Sequence, residues 1–424
     1  MIETRPKKAR ERALLIGLEK DGVSKWDLRD SMEELRELAN SAGAEVVDTI
    51  TQKLPKPTAP YYIGKGKAEL IKDSLQDRQV TSVIFDDELS PAQGRNLETL
   101  LASKVLDRTQ LILDIFAQRA RSREGRLQIE LAQLQYLLPR LTRMWHHLSR
   151  QTGGIGTRGP GETQLEVDRR RVQERIARLE RELESVRKTR AVQRQGRKRH
   201  QWPVAAVVGY TNAGKSTLLN LLTGADVVAV DKLFATLDPT TRSFILPNKQ
   251  RVLLTDTVGF LRKLPHTLIE SFKATLEEVS EADLLIHIVD LSHPRVDEQM
   301  EAVDAVIKEL DAFGKQTLIV FNKIDNLESR ELAEIYVKRF PGSVAISART
   351  GEGMGNLVQA LENALSSWRL RSRFRIPANE SALIAEIHRV GHVLEVRYEG
   401  DDALIVAHVP PHLEQKLARY AARD

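Results

Sequence analysis

An eight-residue segment has the composition and spacing that a phosphate-binding loop requires. It consists of Gly209, Tyr210, Thr211, Asn212, Ala213, Gly214, Lys215 and Ser216, and it fits the pattern G-x-x-x-x-G-K-[ST]. The apolar run 204–208 predicts a buried strand before it, and 217–223 predicts a helix after it, starting at Thr217. This order aims backbone N–H groups and the positive helix end at a phosphate. We expect Lys215 to contact the β- and γ-phosphates and Ser216 to bind Mg²⁺.

A second segment with chemical potential follows the predicted strand 252–254. It consists of Asp256, Thr257, Val258 and Gly259. The pattern D-x-x-G is typical of GTPases, in which the carboxylate lies near the metal and the glycine N–H contacts the γ-phosphate. We therefore expect Asp256 near the metal and Gly259 beside the γ-phosphate.

Two later segments indicate which base the site prefers. The first ends the predicted strand 318–321 and consists of Asn322, Lys323, Ile324 and Asp325. A carboxylate at Asp325 can accept two N–H bonds from guanine, which adenine cannot supply, and such paired bonds reject the analogue that lacks them. The second consists of Ser347, Ala348 and Arg349 and is similar to the loop that closes over guanine. A nonspecific ATPase is thereby disfavoured.

Length and composition indicate a larger protein than one nucleotide-binding domain. The chain has 424 residues, 41% hydrophobic residues and no cysteine, which predicts two to four domains without disulfides. No apolar run approaches the ~18 residues of a membrane helix, and the basic start of the chain lacks the apolar core of a secretory signal. We expect a cytoplasmic protein without a membrane span.

The net charge of +5 conceals a strongly basic segment. Residues 119–200 contain 21 Lys and Arg against 9 Asp and Glu. The remainder of the chain is acidic. This contrast favours the interpretation that 119–200 binds an anionic polymer over the alternative that it is only a solvated, charged helix.

Residues 13–118 predict an N-terminal α/β domain with a mostly parallel sheet. Predicted strands at 13–18, 45–50, 80–85 and 105–106 alternate with helices at 30–42, 67–76 and 90–101, with Ser90 as N-cap and Pro91 at the first helical position. The segment 62–67 could bind a phosphate, but it lacks the spacing G-x-G-x-x-G, so a turn is favoured over a second nucleotide site.

Residues 119–200 predict a basic helical hairpin. Leucines and other apolar residues recur at heptad spacing over 127–148 and again over 165–186, which favours antiparallel coiled-coil packing. We expect Pro139 to kink or break the first helix. The glycine-rich loop, residues 153–163, has five glycines within 153–161 and arginines around it. This composition suits contact with folded RNA better than it suits the role of a plain linker. We expect 187–200, a basic and polar run without periodicity, to be the hinge into the GTPase domain.

Residues 201–368 predict the GTPase domain and 369–424 a small α+β domain. The first switch is predicted within 233–241. Helices are expected at 268–279, 298–310 and 357–365, and a strand at 284–290. In the C-terminal domain we expect two or three strands, at 383–387, 393–398 and 404–409, and a final helix near 413–421. The fold class is therefore multidomain α/β.

The chain resembles the HflX family of ribosome-associated GTPases, in the Obg–HflX branch. The resemblance covers 13 to about 366 and rests on 161–166, Asp168, Arg169 and Arg170, and on the segments 209–216, 234–238, 256–260 and 322–325. It implies a switch containing Phe234, Ala235, Thr236, Leu237 and Asp238, with Thr236 binding Mg²⁺. Thr240 and Thr241 remain rivals for that role.

The residue after Gly259 departs from ordinary signalling GTPases. Phe260 stands where many such enzymes have a Gln that orients the attacking water. Because Phe cannot hydrogen-bond water, we expect slow intrinsic hydrolysis that a partner accelerates. Asn212 resembles the asparagine of potassium-dependent GTPases, so a K⁺ ion near the phosphates is an alternative to a simple turn at that position.

These observations favour a monomeric enzyme that hydrolyses GTP to GDP and binds the large ribosomal subunit and its rRNA. The resemblance implies that it dissociates stalled or idle ribosomes, with Lys215, Thr236 and Gly259 as the catalytic residues. Two alternatives remain open: an RNA-remodelling protein with a second nucleotide site in its N-terminal domain, and a membrane-associated regulatory GTPase.

Overall fold

The computed structural model describes residues 11–22, 24–141, 160–199, 202–224, 233–263, 265 and 276–422, with side chains of the long helix described over 166–189. The chain forms two compact units. The first comprises Met1–Ser185, Lys232–Phe234 and Lys263–Phe272, and the second comprises Val186–Asp231, Ala235–Arg262 and Lys273–Asp424. Among the described residues, no helix is both long and apolar enough to cross a membrane.

A parallel four-stranded sheet organises the described N-terminal part of the first unit. Its order is β2-β1-β3-β4, made from β1 (Arg12–Glu19), β2 (Glu45–Lys53), β3 (Ser82–Phe85) and β4 (Lys104–Asp107). The helices are α1 (Lys25–Ala42), α2 (Lys65–Asp77), α3 (Pro91–Leu101) and α4 (Arg108–Arg119). Six consecutive residues of β1 are buried, as expected for a strand covered on both faces. The predicted α/β architecture is confirmed here.

Capping residues in the sequence predicted several of these helix ends. Two differences between the predicted and the observed helices have simple causes. Helix α1 begins earlier than predicted because Ser24 and Asp27 form a capping box ahead of it. Helix α3 has the predicted Ser90 cap and Pro91 start. Helix α4 escaped prediction because five of the six residues 111–116 are apolar and buried, and so continuous an apolar run shows no helical period. The segment 62–67 leads into α2, for which Gly64 is the N-cap.

Two long helices form the predicted antiparallel hairpin. They are α5 (Arg123–Leu141) and α6 (Pro160–Arg199). Leu127 and Leu131 of α5 are buried in one cluster with Leu179 and Leu183 of α6. The direction follows from the ion pairs, because Arg123 pairs with Glu182 at 3.9 Å while Glu130, further along α5, pairs with Arg175 at 2.7 Å.

Three expectations for this hairpin need correction. Helix α5 continues through Pro139 to Leu141, so there is no break at the proline. Helix α6 begins at Pro160, inside the predicted loop, because proline suits a first helical position. Residues 187–199 of the expected hinge are helical, since α6 extends to Arg199; its Arg, Lys, Gln and Ala residues are strong helix formers that need no apolar stripe. Residues 142–159 of the glycine-rich loop and its flank lie outside the described residues.

A six-stranded sheet organises the described nucleotide-binding part of the second unit, in the order β10-β9-β8-β5-β7-β6. Its strands are β5 (Val204–Gly209), β6 (Thr240–Ile245), β7 (Arg251–Asp256), β8 (Leu284–Asp290), β9 (Thr317–Asn322) and β10 (Val344–Ala345), of which β6 alone runs antiparallel to its neighbour. The helices are α7 (Lys215–Thr223), α8 (Val296–Glu309), α9 (Glu331–Arg339) and α10 (Met354–Ala364). Of the predicted helix 268–279, residues 276–279 are helical and the rest lies outside the described residues.

The C-terminal part of the second unit is an antiparallel sheet in the order β11-β13-β12, made from β11 (Leu370–Pro377), β12 (His392–Glu399) and β13 (Asp402–Val409). Helices α11 (Ser381–Val390) and α12 (Pro411–Leu417) pack on one face of it. The predicted strand 383–387 is wrong, because this segment lies in α11. Leu383, Ile384 and Ile387 face the core at helical spacing, which five residues are too few to distinguish from a strand.

Candidate nucleotide-binding site

The phosphate-binding loop connects β5 to α7 at the carboxyl edge of the parallel strands. Gly214 has a φ of +96°, and a Cβ there would lie 2.2 Å from the Asn322 side-chain nitrogen. A larger residue at this position would be strained and would also clash. The loop is therefore shaped by this glycine as the sequence pattern predicts, and α7 directs its N-terminus toward the loop.

Lys215 lies buried beneath the loop that precedes it. Its Nζ donates to the carbonyl oxygens of Gly209 at 3.1 Å and Tyr210 at 2.7 Å. Burial, with a smaller contribution from Lys323, lowers the pKa of Lys215 to about 8 against the attraction of Asp256. A bound phosphate would stabilise the ammonium form of this side chain.

Three oxygen-bearing side chains meet beside Lys215. The Ser216 Oγ lies 2.6 Å and the Thr236 Oγ1 2.8 Å from the same carboxylate oxygen of Asp256, Oδ2. The rival threonines are turned elsewhere: the Thr240 hydroxyl contacts the Asp238 carbonyl at 3.5 Å, and that of Thr241 lies 3.0 Å from Thr255 Oγ1. Of the three threonines, Thr236 is the one that joins Ser216 and Asp256.

The chemistry of this cluster fits a magnesium ion. Asp256 is fully buried, and its second oxygen, Oδ1, has no hydrogen-bond partner among the described residues. Burial raises the pKa of Asp256 against hydrogen bonds from Ser216 and Thr236 and the charge of Lys215. Hard oxygen ligands from one carboxylate and two hydroxyls suit Mg²⁺, which keeps several waters and binds substrate phosphates. Ser216, Thr236 and Asp256 are candidate ligands for this reason.

The segment after Asp256 pairs with the phosphate-binding loop through its backbone. Phe260 donates its N–H to the Gly209 carbonyl at 3.1 Å and accepts the Thr211 N–H at 2.8 Å. A Cβ on Gly259 would lie 2.7 Å from Thr211 Cα and 2.9 Å from Lys215 Nζ, so Gly259 permits the close approach. The Phe260 side chain is buried, which leaves it unable to touch a water molecule in the site.

Sequence reasoning did not detect the role of the Tyr210 side chain. Its hydroxyl accepts the Arg262 N–H at 2.9 Å, which adds a third link between the loop and the segment after Gly259. No pattern marks this position, because the motif leaves it free.

Asn322 connects the loop to the segment that follows β10. Its Nδ2 donates to the Ala213 carbonyl at 2.8 Å, and its Oδ1 accepts the Ala348 N–H at 2.9 Å. Lys323 has a φ of +64°, and its Nζ forms a 2.7 Å ion pair with Asp290 at the end of β8. These contacts bring three sequence-distant segments together at the same edge of the sheet.

Asp325 lies in a short 3₁₀ turn, Ile324–Asn326, directly after β9. Its side chain is 10% exposed and forms an ion pair with Arg349. Burial opposes its ionisation, but the Ser347 hydroxyl, the backbone amide and Arg349 outweigh that effect and lower the pKa of Asp325. An ionised, half-enclosed carboxylate of this kind can accept the paired N–H donors of guanine.

The remaining predicted site residues are distributed unevenly. Phe234 is buried against Phe116 of the first unit, with ring centroids 4.6 Å apart, so its ring fills a core. Leu237 is also buried, while Ala235 and Asp238 are half-buried.

The other predicted site residues lie in the phosphate-binding loop, in α7 and in the segment after β7. Asn212 is exposed with a φ of +60°, Thr217 lies in the first turn of α7, and Val258 is buried. Thr257 donates its hydroxyl to the Val207 carbonyl at 2.6 Å.

Comparisons with known proteins place the sequence in a family. Family models described as GTP-binding GTPase N-terminal, GTP-binding GTPase Middle Region and 50S ribosome-binding GTPase match residues 29–117, 119–197 and 204–323. The GTPase HflX of Caldanaerobacter subterraneus subsp. tengcongensis is 47% identical over 411 residues, which cover 97% of this chain and 94% of that protein. The GTPase HflX of Escherichia coli is 47% identical over 379 residues, 89% of each chain.

A solved structure of a protein named SsGBP in complex with GDP is 27% identical, with a TM-score of 0.48, and the match covers 84% of this chain and 99% of that one. The sequence matches to named GTPases span nearly the whole chain. This protein hydrolyses GTP to GDP and phosphate, and it belongs to the HflX family of GTPases.

Proposed function

We propose that this GTPase binds the large ribosomal subunit and dissociates stalled or idle ribosomes, working as a monomer in the cytoplasm. The observation that carries the proposal is the match of residues 204–323, which contain the phosphate-binding loop and Asp256, to a family described as 50S ribosome-binding GTPase. The GTP state would set the geometry between the GTPase domain, 201–368, and the basic hairpin, 119–200. The N-terminal domain, 13–118, and the C-terminal domain, 369–424, complete the proposed organisation.

The charge of the hairpin supports an RNA partner. Arg169, Arg170 and Arg171 are exposed near the start of α6, close in sequence to the glycine-rich loop. Their ion pairs are exposed and local: Arg170 with Glu174 at 3.0 Å and Arg171 with Asp168 at 3.7 Å. Because exposed pairs of this kind are weak, phosphate groups of rRNA could replace them at little cost.

The site residues suggest how GTP is bound and hydrolysed. We assign Ser216 and Thr236, with Asp256, to Mg²⁺, which would neutralise charge that develops on the transferred phosphoryl group. Lys215 would leave its own loop carbonyls to contact the β- and γ-phosphates. The Gly259 N–H would contact the γ-phosphate, and its place beside Thr211 and Lys215 supports that role.

Hydrolysis would be slow without a partner. Phe260 cannot orient a water molecule, and its burial supports a structural role for the ring. The attacking water would then need a group supplied by the ribosome, or an ordering of the segment after Gly259 when the ribosome binds. We expect GTP hydrolysis to accelerate strongly when large subunits are added.

Cosedimentation separates this proposal from its rivals. The protein is mixed with purified 70S ribosomes, free RNA or acidic liposomes, each with a nonhydrolysable GTP analogue and with GDP. The expected result is ribosome binding that is stronger with the GTP analogue, with conversion of 70S particles to subunits. Ribosome binding that is equal with both nucleotides would contradict the proposal, and binding to liposomes alone would favour a membrane-associated switch.

A further inference from the structure

The guanidinium of Arg349 lies on the carboxylate that we assign to the guanine edge. Arg349 Nη2 forms an ion pair with Asp325 Oδ2 and donates to Asn326 Oδ1 at 3.3 Å. The other oxygen, Asp325 Oδ1, is buried and has no hydrogen-bond partner among the described residues. One oxygen of this carboxylate is therefore paired with Arg349, and the other lacks a hydrogen-bond partner among the described residues.

The two partners differ in exposure, which decides which of them can move. The Arg349 side chain is 71% exposed, while that of Asp325 is 10% exposed. Because most of the Arg349 side chain is exposed, water hydrates it when the pair opens, and the cost of opening is small. A long arginine side chain can therefore leave while the carboxylate stays in its turn. A ligand that brings two N–H donors can therefore displace Arg349 from Asp325.

Arg349 is not needed to hold its own loop. The Ser347 N–H donates to the Glu352 carbonyl at 3.0 Å, and the Gly351 N–H donates to the Ser347 carbonyl at 2.9 Å. The Ala348 N–H is held by Asn322, as described above. Removing the Arg349 side chain leaves all of these bonds in place.

We propose that Arg349 is a specificity-determining residue that competes with the purine for Asp325 and so reduces discrimination between guanine and hypoxanthine. This inference rests on the proposed role of Asp325. Guanine has two N–H donors on the edge that faces the carboxylate, so it fills both oxygens and displaces Arg349. Hypoxanthine lacks the 2-amino group and has one donor, so Arg349 stays paired with the second oxygen of Asp325. This pair lowers the free-energy cost of binding a base that leaves one carboxylate oxygen without a donor.

The proposal predicts opposite effects of one substitution on two ligands. In R349A, GDP no longer displaces an ion pair, so its affinity rises by about two- to fivefold. The affinity for IDP stays the same or falls, because one Asp325 oxygen is left unpaired. The ratio of GDP to IDP affinity therefore increases. Isothermal titration of the full-length protein with GDP and with IDP measures both.

A matched control removes an arginine of the neighbouring loop. Arg330 pairs with Glu352 at 2.8 Å and donates to the Ile324 carbonyl, but it forms no ion pair with Asp325 among the described residues. R330A should leave the ratio of GDP to IDP affinity unchanged. High salt, which screens exposed pairs, should move the wild-type ratio toward that of R349A and leave the R349A ratio almost constant.

The outcomes separate the failures of the two proposals. If D325N binds GDP as tightly as the wild type, Asp325 does not contact the base, and the proposed role itself fails. If D325N weakens GDP binding but R349A leaves the ratio unchanged, or weakens GDP and IDP equally, this inference alone is overturned. Equal weakening would mean that Arg349 supports any bound base.

Discussion

Ser216 Oγ lies 2.7 Å from Thr236 Oγ1, although the two residues are 20 positions apart in the chain. Both hydroxyls also lie within hydrogen-bond distance of Asp256 Oδ2. Ser216 comes from the start of α7, Thr236 from the predicted switch and Asp256 from the end of β7. A ligand that binds all three oxygens would therefore couple the position of the switch to the occupancy of the phosphate site.

We predict that T236A lowers the rate of GTP hydrolysis by about 10- to 100-fold. The variant lacks one proposed magnesium ligand, so the affinity for a GTP analogue should also become less dependent on Mg²⁺. The affinity for GDP should change little. Hydrolysis rates measured over a range of Mg²⁺ concentrations test this, with T240A and T241A as controls. A decrease in T241A as large as that in T236A would move the metal contact to Thr241.

The buried position of Lys215 predicts a pH dependence of nucleotide binding. Its pKa is about 8 in the free folded protein, against 10.5 for an ordinary lysine, and bound phosphates favour the charged form. Binding above pH 8 therefore takes up a proton, so the affinity for GDP should fall toward tenfold per pH unit as pH rises. Titrations between pH 7 and 9 measure this slope. K215A should show weaker binding without the slope; the same slope in K215A would implicate another group.

The same group also makes the stability of the protein depend on pH, with the opposite sign. Between pH 8 and 10.5 the unfolded chain holds the Lys215 proton that the folded protein has released. The contribution of Lys215 to the free energy of unfolding therefore rises with pH across that window. Thermal unfolding of nucleotide-free wild type and K215A, compared over this range, isolates the contribution.

We predict that hydrolysis is faster in KCl than in NaCl, because Asn212 helps to hold a K⁺ ion near the β- and γ-phosphates. Its exposed position and its φ of +60° in the loop suit either this role or a plain turn. Hydrolysis rates at equal ionic strength decide between them, with N212A as the test variant. N212A should lose the preference for potassium, whereas equal rates of the wild type in both salts would remove the ion from the mechanism.

For the hairpin, we predict that R169A/R170A/R171A weakens ribosome binding and flattens its salt dependence. Every phosphate group that the variant no longer neutralises should lower the slope of log affinity against log salt by ~0.7–0.9. R178A is a matched control, since Arg178 lies further along α6 and pairs with Glu182 at 3.0 Å. Binding measured from low to high salt should separate the two. An unchanged slope in the triple variant would exclude these arginines from the RNA interface.

Shortening 153–161 to a tight turn tests the glycine-rich loop itself. We expect GTP affinity to remain intact, because the loop lies outside the GTPase domain in the sequence, while ribosome splitting is abolished and ribosome-stimulated hydrolysis falls. If the shortened protein still separates 70S particles at the normal rate, the loop is only a connection between α5 and α6.

The sequence by itself determined the elements whose signals are local. The phosphate-binding loop, the ends of β7 and β9 and the Ser90 cap of α3 each depend on residues a few positions apart, so a pattern is enough to find them. Where the local signal was weak or ambiguous, prediction failed. The five-residue segment 383–387 fits both a strand and a helix, and the basic end of α6 has helix-forming residues without an apolar period.

Only the tertiary structure decided which distant side chains meet. No spacing distinguishes Thr236 from Thr240 or Thr241, because the choice depends on where β6 begins to pair with β7 and so on which threonine remains in the loop beside Asp256. Likewise, no pattern predicts that Arg349 pairs with Asp325 or that Phe234 packs on Phe116. These contacts join residues 24 and 118 positions apart in the chain, and a contact between distant residues is set by the packing of the elements that carry them.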